Sequence, residues 1–348
     1  MYQIILLLLV ILEKLFTEKM LQKDIYVRKY KWCRMRKTEY EIAKIRNIFW
    51  CSIRKVVGHQ KFKRRKYYGK KIAGIDEANQ KIYQALIAGK PFLAARFGDA
   101  ELRTLVYTLE NDLKLRNGYP EYIKNVMHTN AGFFPANDEN LLKFGHLLWD
   151  SSKEVDLFGV WFNLLEDYVI QKTNPDAELV ELVALEPYRS STPWSKALER
   201  KKVLVVHPFE ESIQHQYAIH EKIFKNQDIL PDFELITYKA IQTNAGGICD
   251  FNTWFEALDT MFEDIKKIDF DIAIIGCGAY GLPLAAKIKS LDKQVIHLAG
   301  ATQILFGIRG ARWDVRPEMQ CFFNDYWIRP SESEKPKNAK EVEGGCYW

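Results

Sequence analysis

From about residue 75 onward, short apolar runs alternate with stretches in which apolar residues recur every three to four positions. Four- to six-residue runs between turn residues read as buried strands, and the 3.6-residue spacing reads as helix. The pattern predicts helix over 75–88, strand over 92–97 and helix over 100–110. It continues with helix over 137–151, strand over 155–161 and helix over 164–172, while 179–185 fits either state. A strand at 203–206 leads through His207 and Pro208 into a helix over 212–224. Strand over 234–241 and a long amphipathic helix over 251–266 follow. Strands at 272–275 and 295–298, flanking a helix over 282–290, close the series. Strands separated by helices of this length imply an α/β fold: a doubly wound, mainly parallel, Rossmann-like sheet. No internal repeat is present.

Composition fits that picture. The chain has 348 residues, 47% of them apolar and 13% aromatic, enough for a globular core holding one large domain and an appendage. Charge is unevenly distributed. Residues 23–71 carry 18 Lys/Arg against three acids, so the total of +5 leaves residues 72–348 at a net −10. Ahead of this basic stretch, residues 4–12 are continuously apolar. That run is too short to span a bilayer, which takes ~20 residues. It also lacks the positive start and small-residue cleavage site of a secretory signal. Two readings stay open: an interfacial apolar tip backed by a cationic arm that favours an anionic membrane surface, or a true start at Met20 or Met35.

The expected organisation is an apolar tip and basic helical arm over 1–74, a catalytic domain over 75–330, and a polar, mobile tail over 331–348. Ile42, Ile45, Ile48 and Phe49 form an amphipathic stripe within the arm. Tyr26, Tyr30, Trp32, Tyr40, Trp50, Tyr67 and Tyr68 interleave with its cations, as in surfaces that stack bases. No nucleic-acid signature accompanies them, and no nucleic-acid partner is expected. Six scattered cysteines, with no C-x-x-C pair, argue against structural zinc and a disulfide framework, and suit a reducing compartment.

Candidate chemistry gathers at predicted strand ends. Arg96-Phe97-Gly98-Asp99-Ala100-Glu101 places two carboxylates where open α/β sheets bind ligands. Hard oxygen donors there suit Mg²⁺ or Mn²⁺ bridged to a diphosphate. The plainer alternative makes Asp99 an N-cap and Glu101 a dipole-matched first-turn acid. Gly276-Cys277-Gly278-Ala279-Tyr280-Gly281 is a G-x-G-x-x-G turn after a strand, a form that cradles pyrophosphate or simply packs tightly. An NAD site also wants an acid after the next strand, and Leu298 is followed by Ala299-Gly300-Ala301.

His207 and Glu210 lie beyond the 203–206 strand as candidates for a general base. Residues 243–247 form a glycine-rich loop, either a lid or a plain connection. Gln303 is placed to read a base or sugar, and Arg309 or Arg312 to meet phosphate, with ordinary surface arginines the default.

On these residues the chain resembles glycosyltransferases of the GT-D type, which carry a DxE motif in an Arg-Phe-Gly-Asp-x-Glu context on a Rossmann-like sheet. The resemblance covers roughly residues 75–315. It implies sugar transfer from a nucleotide-sugar donor to a saccharide acceptor, lipid-linked if the enzyme sits on the inner membrane face. Asp99 and Glu101 would then be metal ligands for Mn²⁺ or Mg²⁺, with Arg96, Gly98, Gly276, Gly278, Gly281 and Gln303 around the donor. The late turn is richer in glycine than the family pattern. The 203–209 and 301–303 stretches also resemble proteins of bacterial surface-polysaccharide assembly. Two other functions compete: an NAD(P)-linked oxidoreductase acting on sugar nucleotides, and a non-enzymatic membrane-attached scaffold.

Overall fold

The computed structural model describes residues 37–58, 64–247 and 249–348. The apolar run at 4–12, the possible starts at Met20 and Met35, and the arm up to residue 36 lie outside the described residues.

Nine strands form one sheet: β1 (Lys66–Tyr67), β2 (Lys70–Ala73), β3 (Phe92–Ala95), β4 (Leu157–Val160), β5 (Glu178–Glu181), β6 (Lys202–His207), β7 (Glu234–Lys239), β8 (Ile272–Ile275) and β9 (Gln294–His297). Their order is β1-β2-β5-β4-β3-β9-β8-β6-β7. Among the described residues, only β1 and β2 pair antiparallel; every other pair in the sheet is parallel, with Leu93 opposite Val295 and Val205 opposite Ile274. Strands β3, β8 and β9 are buried along their whole length because helices cover both faces of the sheet. That is why they read as unbroken apolar runs. One core holds Phe97, Leu105, Phe144 and Trp254, and the opposite face holds Ala94, Ile82, Trp194 and Ile304. The doubly wound α/β expectation therefore holds.

Most predicted helices appear within a few residues of their expected bounds. The helix expected at 137–151 is Asp138–Ser152, started by Asn137, whose side chain accepts from the Asn140 N–H at 2.9 Å. The helix expected over 212–224 ends early, at Tyr217, where a 3-10 turn takes over. No element was anticipated at Glu121–Thr129, which is helical.

Two expected boundaries fall within packed structure. Residues on both sides of 74 share one core, Tyr40, Ala43 and Ile72 with Leu93 and Phe158. Helix α1 (Lys37–Val57) packs on the core through Tyr40, Ala43 and Asn47, and β2 joins the sheet with Ile72 opposite Leu179. The Tyr40 hydroxyl donates to Glu110 at 3.0 Å, and buried Asp167 receives Arg46, Asn47 and Arg64. The stripe Ile42, Ile45 and Ile48 faces outward instead.

The second lies at residues 331–348, which fold back onto the domain. Glu334 is buried and accepts the Ser212 backbone N–H and hydroxyl, while the Tyr347 carbonyl accepts from Gln303. A polar composition had hidden one buried carboxylate and two aromatic anchors.

Candidate active site

From β3 the chain builds outward through β4 to β5, while β6 to β9 form the other half of the sheet. The strand order thus reverses between β3 and β9. Ligands of open α/β sheets bind beyond the carboxyl ends of strands at such a point. A cleft of about 430 Å³ lies there, reached by the turns after β3, β4, β6, β8 and β9.

The turn after β3 supplies both carboxylates. Phe97 turns into the core and stacks on Phe158 at 5.3 Å, so the flanking Arg96 and Gly98 remain on the cleft wall. Helix α3 (Asp99–Asp112) follows, and its N-cap is Gly98, not Asp99 as the capping alternative had it. Asp99 is the first helical residue. Its half-exposed carboxylate pairs with Arg103 one turn on, at 2.9 Å. Glu101 reaches back over Gly98, where a Cβ would overlap its carboxylate. Burial raises the Glu101 pKa, while its own backbone N–H and the charge of Arg96 work against that. Arg96 lies with its guanidinium 4.7 Å from the centre of the Trp161 ring, and burial lowers its pKa. Arg312 and Arg316 also line the cleft, which suits an anionic ligand.

As hosts for a divalent cation, Asp99 and Glu101 are of the right kind: two hard oxygen donors on one wall. Among the described residues no group of three His, Cys, Asp or Glu side chains converges to hold a metal. A bound Mn²⁺ or Mg²⁺ would therefore draw its remaining ligands from phosphate and water, which is how Mg²⁺ commonly binds.

The turn after β8 supplies the glycines. A Cβ on Gly276 would lie 2.6 Å from the Ala299 carbonyl oxygen and 2.8 Å from His207 Cδ2. Gly278 has φ +59°, a left-handed conformation that favours glycine. Both line the cleft. Gly281 does not: it opens helix α9 (Gly281–Lys289) and packs against the His297 ring, where a Cβ would collide. The third glycine thus lies in helix-to-strand packing, away from the cleft where its donor-binding role was expected.

His207 reaches the cleft, but as a different chemical species from the one expected. Its Nδ1 accepts the Phe209 backbone N–H at 3.0 Å. Burial pulls its pKa down to about 3. With Nδ1 accepting that N–H, the proton of the neutral ring falls on Nε2, which makes the ring a hydrogen-bond donor in this geometry. Glu210 is not on the cleft at all; it accepts from the Thr237 hydroxyl at 2.9 Å. Gln303 lines the cleft, but its amide nitrogen is committed to the carbonyls of Ile308 and Tyr347. The loop at 243–247 is pinned by Thr243, which donates to the Gly132 carbonyl, and by Asn244, which donates to that of Asn130. It behaves as a connection.

Several cleft residues escaped the sequence reading. Trp161 and His297 sit at strand ends and were open to the same rule that found His207. Tyr347 and Trp348 carry no local signal, because the folded-back tail brings them in. Of the two arginines offered as phosphate contacts, Arg312 lines the cleft and Arg309 does not; Arg312 stacks at 4.6 Å on Tyr347 and pairs with Glu343. Among the buried polar atoms of this wall, Trp161 Nε1, Gln303 Oε1 and Trp348 Nε1 make no hydrogen bond, and neither do the ring nitrogens of His297. Buried polar atoms are nearly always paired in a folded protein, so this cluster marks where a ligand or water belongs.

No family model matches the chain, and no curated protein matches it in sequence. Two solved structures are similar to it. One is described as showing that the highly conserved domain of unknown function 1792 has a distinct glycosyltransferase fold; it is 13% identical, aligned over 74% of this chain and 94% of its own, with a TM-score of 0.40. The other is a selenomethionine-substituted structure of the same domain, 14% identical over the same shares, with a TM-score of 0.39.

Proposed function

We propose that this chain is a glycosyltransferase of the GT-D type that moves a sugar from a nucleotide-sugar donor to a saccharide acceptor. One observation carries the reading: the Asp99/Glu101 turn and the Gly276/Gly278 turn, 177 residues apart between Asp99 and Gly276, open onto one cleft at the sheet's switch point. Sugar transfer needs charge stabilised on a departing diphosphate. Arg96, held against Trp161, supplies one positive group in a partly desolvated wall, where charge acts strongly. Asp99 and Glu101 would hold a divalent cation, whose contribution is Lewis-acid stabilisation of that same charge. His207 offers an N–H to a donor oxygen. The unpaired Trp161 Nε1 and Gln303 Oε1 match the hydroxyl and phosphate groups of such a ligand.

A pyridine dinucleotide is the poorer fit, since Leu298-Ala299-Gly300 after β9 provides no acid for a ribose. The test is hydrolysis of UDP-, GDP- and TDP-sugars with Mn²⁺ by the parent chain and by Asp99→Asn/Glu101→Gln. Turnover by the double variant should fall ~100-fold or more, the scale of losing one preorganised electrostatic contact. Equal turnover by both forms rules out the carboxylate role. Quenching of nicotinamide fluorescence on adding protein would favour the oxidoreductase. Absence of any nucleotide-induced rise in melting temperature would favour the scaffold.

A further inference from the structure

Helix α1 has two apolar faces, and the core uses one. Tyr40, Ala43 and Asn47 point inward. Ile42, Ile45, Phe49, Ile53 and Val56 recur at three- and four-residue steps on the opposite side, with Ile48 at their edge. Ile42 is 37% exposed, Ile45 69%, Ile48 49% and Val56 88%. None of the six belongs to either core. Single exposed aliphatic residues are ordinary, but a continuous stripe along one helix marks an interaction surface.

Charge identifies the partner. Residues 37–71 hold twelve Lys/Arg and two Glu. Lys37 and Lys55 are exposed on the helix itself, and Arg65 and Lys66 are exposed just beyond it in the chain. Two copies of this face would bring like charges together, which disfavours self-association. A cationic rim around a helix of alternating apolar and polar faces fits the interface of an anionic bilayer. The helix spans 21 residues, yet among the described residues no helix is long and apolar enough to cross a membrane. Its place is along the surface.

We infer that α1 is a membrane-docking helix, laying Ile42, Ile45, Phe49 and Val56 among the acyl chains of an anionic lipid surface. The inference stands apart from the reading of the cleft, yet the two sites are physically joined. The inner face of α1 holds the turn after β4: Arg54 donates to the Phe162 carbonyl at 3.1 Å, and Asn47 accepts the Leu165 N–H at 3.1 Å. That turn carries Trp161 into the cleft. The docking helix thus braces a cleft wall, which would bring the site close to an acceptor carried by lipid.

Co-sedimentation of the full chain with vesicles of phosphatidylcholine and phosphatidylglycerol, or of phosphatidylcholine alone, tests this. The parent should partition at least tenfold better onto the anionic vesicles, and 0.5 M NaCl should weaken that binding. Ile45→Glu/Phe49→Glu should reduce the partition coefficient at least fivefold with an unchanged melting temperature. Ile42→Ser/Val56→Ser serves if the first variant fails to fold. A smaller loss, or equal binding to both vesicle types, overturns the inference. So does a parent mass in solution twice that of the folded variant, which would assign the face to a second copy.

Discussion

The Glu101 carboxylate lies in the space a Cβ on Gly98 would occupy, so the first turn of α3 and the cleft wall are built from the same contact. Gly98 has φ −75° and ψ 153°, a conformation open to any residue. Room for the carboxylate is what requires glycine there. Gly98→Ala should therefore push out the end of a flexible side chain, without straining the backbone. We expect a stability change within ~1 kcal/mol by thermal melting, together with loss of the melting-temperature rise given by UDP and Mn²⁺. A large drop in stability with ligand response intact would mean that Glu101 serves the fold and not the site.

Much of this was legible in the chain. The runs at 92–97, 203–206, 272–275 and 295–298 gave four strands of the parallel sheet, because a strand covered on both faces must be apolar throughout. Chemistry at strand ends located Arg96, Asp99, Glu101, Gly276, Gly278 and His207 on one cleft. What escaped depends on side-chain geometry and on long-range contacts. The apolar pattern does not say that His207 Nδ1 will accept the Phe209 N–H two residues on, which settles its tautomer. Nor does local pattern show that Tyr347 and Trp348 return to the site, or that a helix with one evident apolar stripe is anchored by Tyr40 and Asn47 on the other side.

The pH dependence of folding should carry the signature of two buried histidines. His207 and His297 each have their pKa pulled down to about 3 by burial, with the charge of Arg96 adding to the effect at His297. The unfolded chain then binds protons that the native one refuses. Their contribution is fully present above the ordinary value of 6.5 and is lost as pH falls from there toward 3. The slope approaches ~1.4 kcal/mol per pH unit for each ring. Glu166, raised to about 7 by burial, acts in the opposite sense and loses its contribution as pH rises from its ordinary 4.5 toward 7. Two rings outweigh one carboxyl, so melting temperature should fall between pH 7 and pH 5. His207→Gln/His297→Gln should flatten that fall, and an unchanged slope would refute the assignment.

Asn47 is the polar pivot of α1, buried at 2% exposure. It donates to Asp167 at 2.8 Å and accepts the N–H of Leu165, a residue with φ +63° that precedes helix α6 (Glu166–Thr173). Asn47→Leu should leave a buried N–H unpaired and one carboxylate oxygen less satisfied. The expected cost is ~2–3 kcal/mol in chemical unfolding. Deleting residues 1–71 should be far worse, since it removes Tyr40, Tyr67 and the Arg64 partner of Asp167. We expect aggregation or loss of a cooperative melt; a folded, active truncation would restore residue 74 as a domain boundary.

The folded-back tail offers the sharpest separation of wall from scaffold. Its attachment and its cleft contribution lie at different residues. Glu334 is buried against Ser212 and the backbone of Ser331, far along the chain from the cleft aromatics. Glu334→Ala removes the acceptor of those donors and should cost ~1–3 kcal/mol. Trp348→Ala instead removes a cleft side chain whose indole N–H has no protein partner. Because the ring also packs against Phe209 and the edge of the core, the melting temperature of the ligand-free chain should fall by ~2–4 °C, the scale of a ~1 kcal/mol change in a chain of this size. Nucleotide-sugar binding by calorimetry should weaken ~10-fold, the effect of losing one stacking or hydrogen-bonding partner. Weakened folding with unchanged binding would show that Trp348 closes the core and that the ligand wall ends at Arg312.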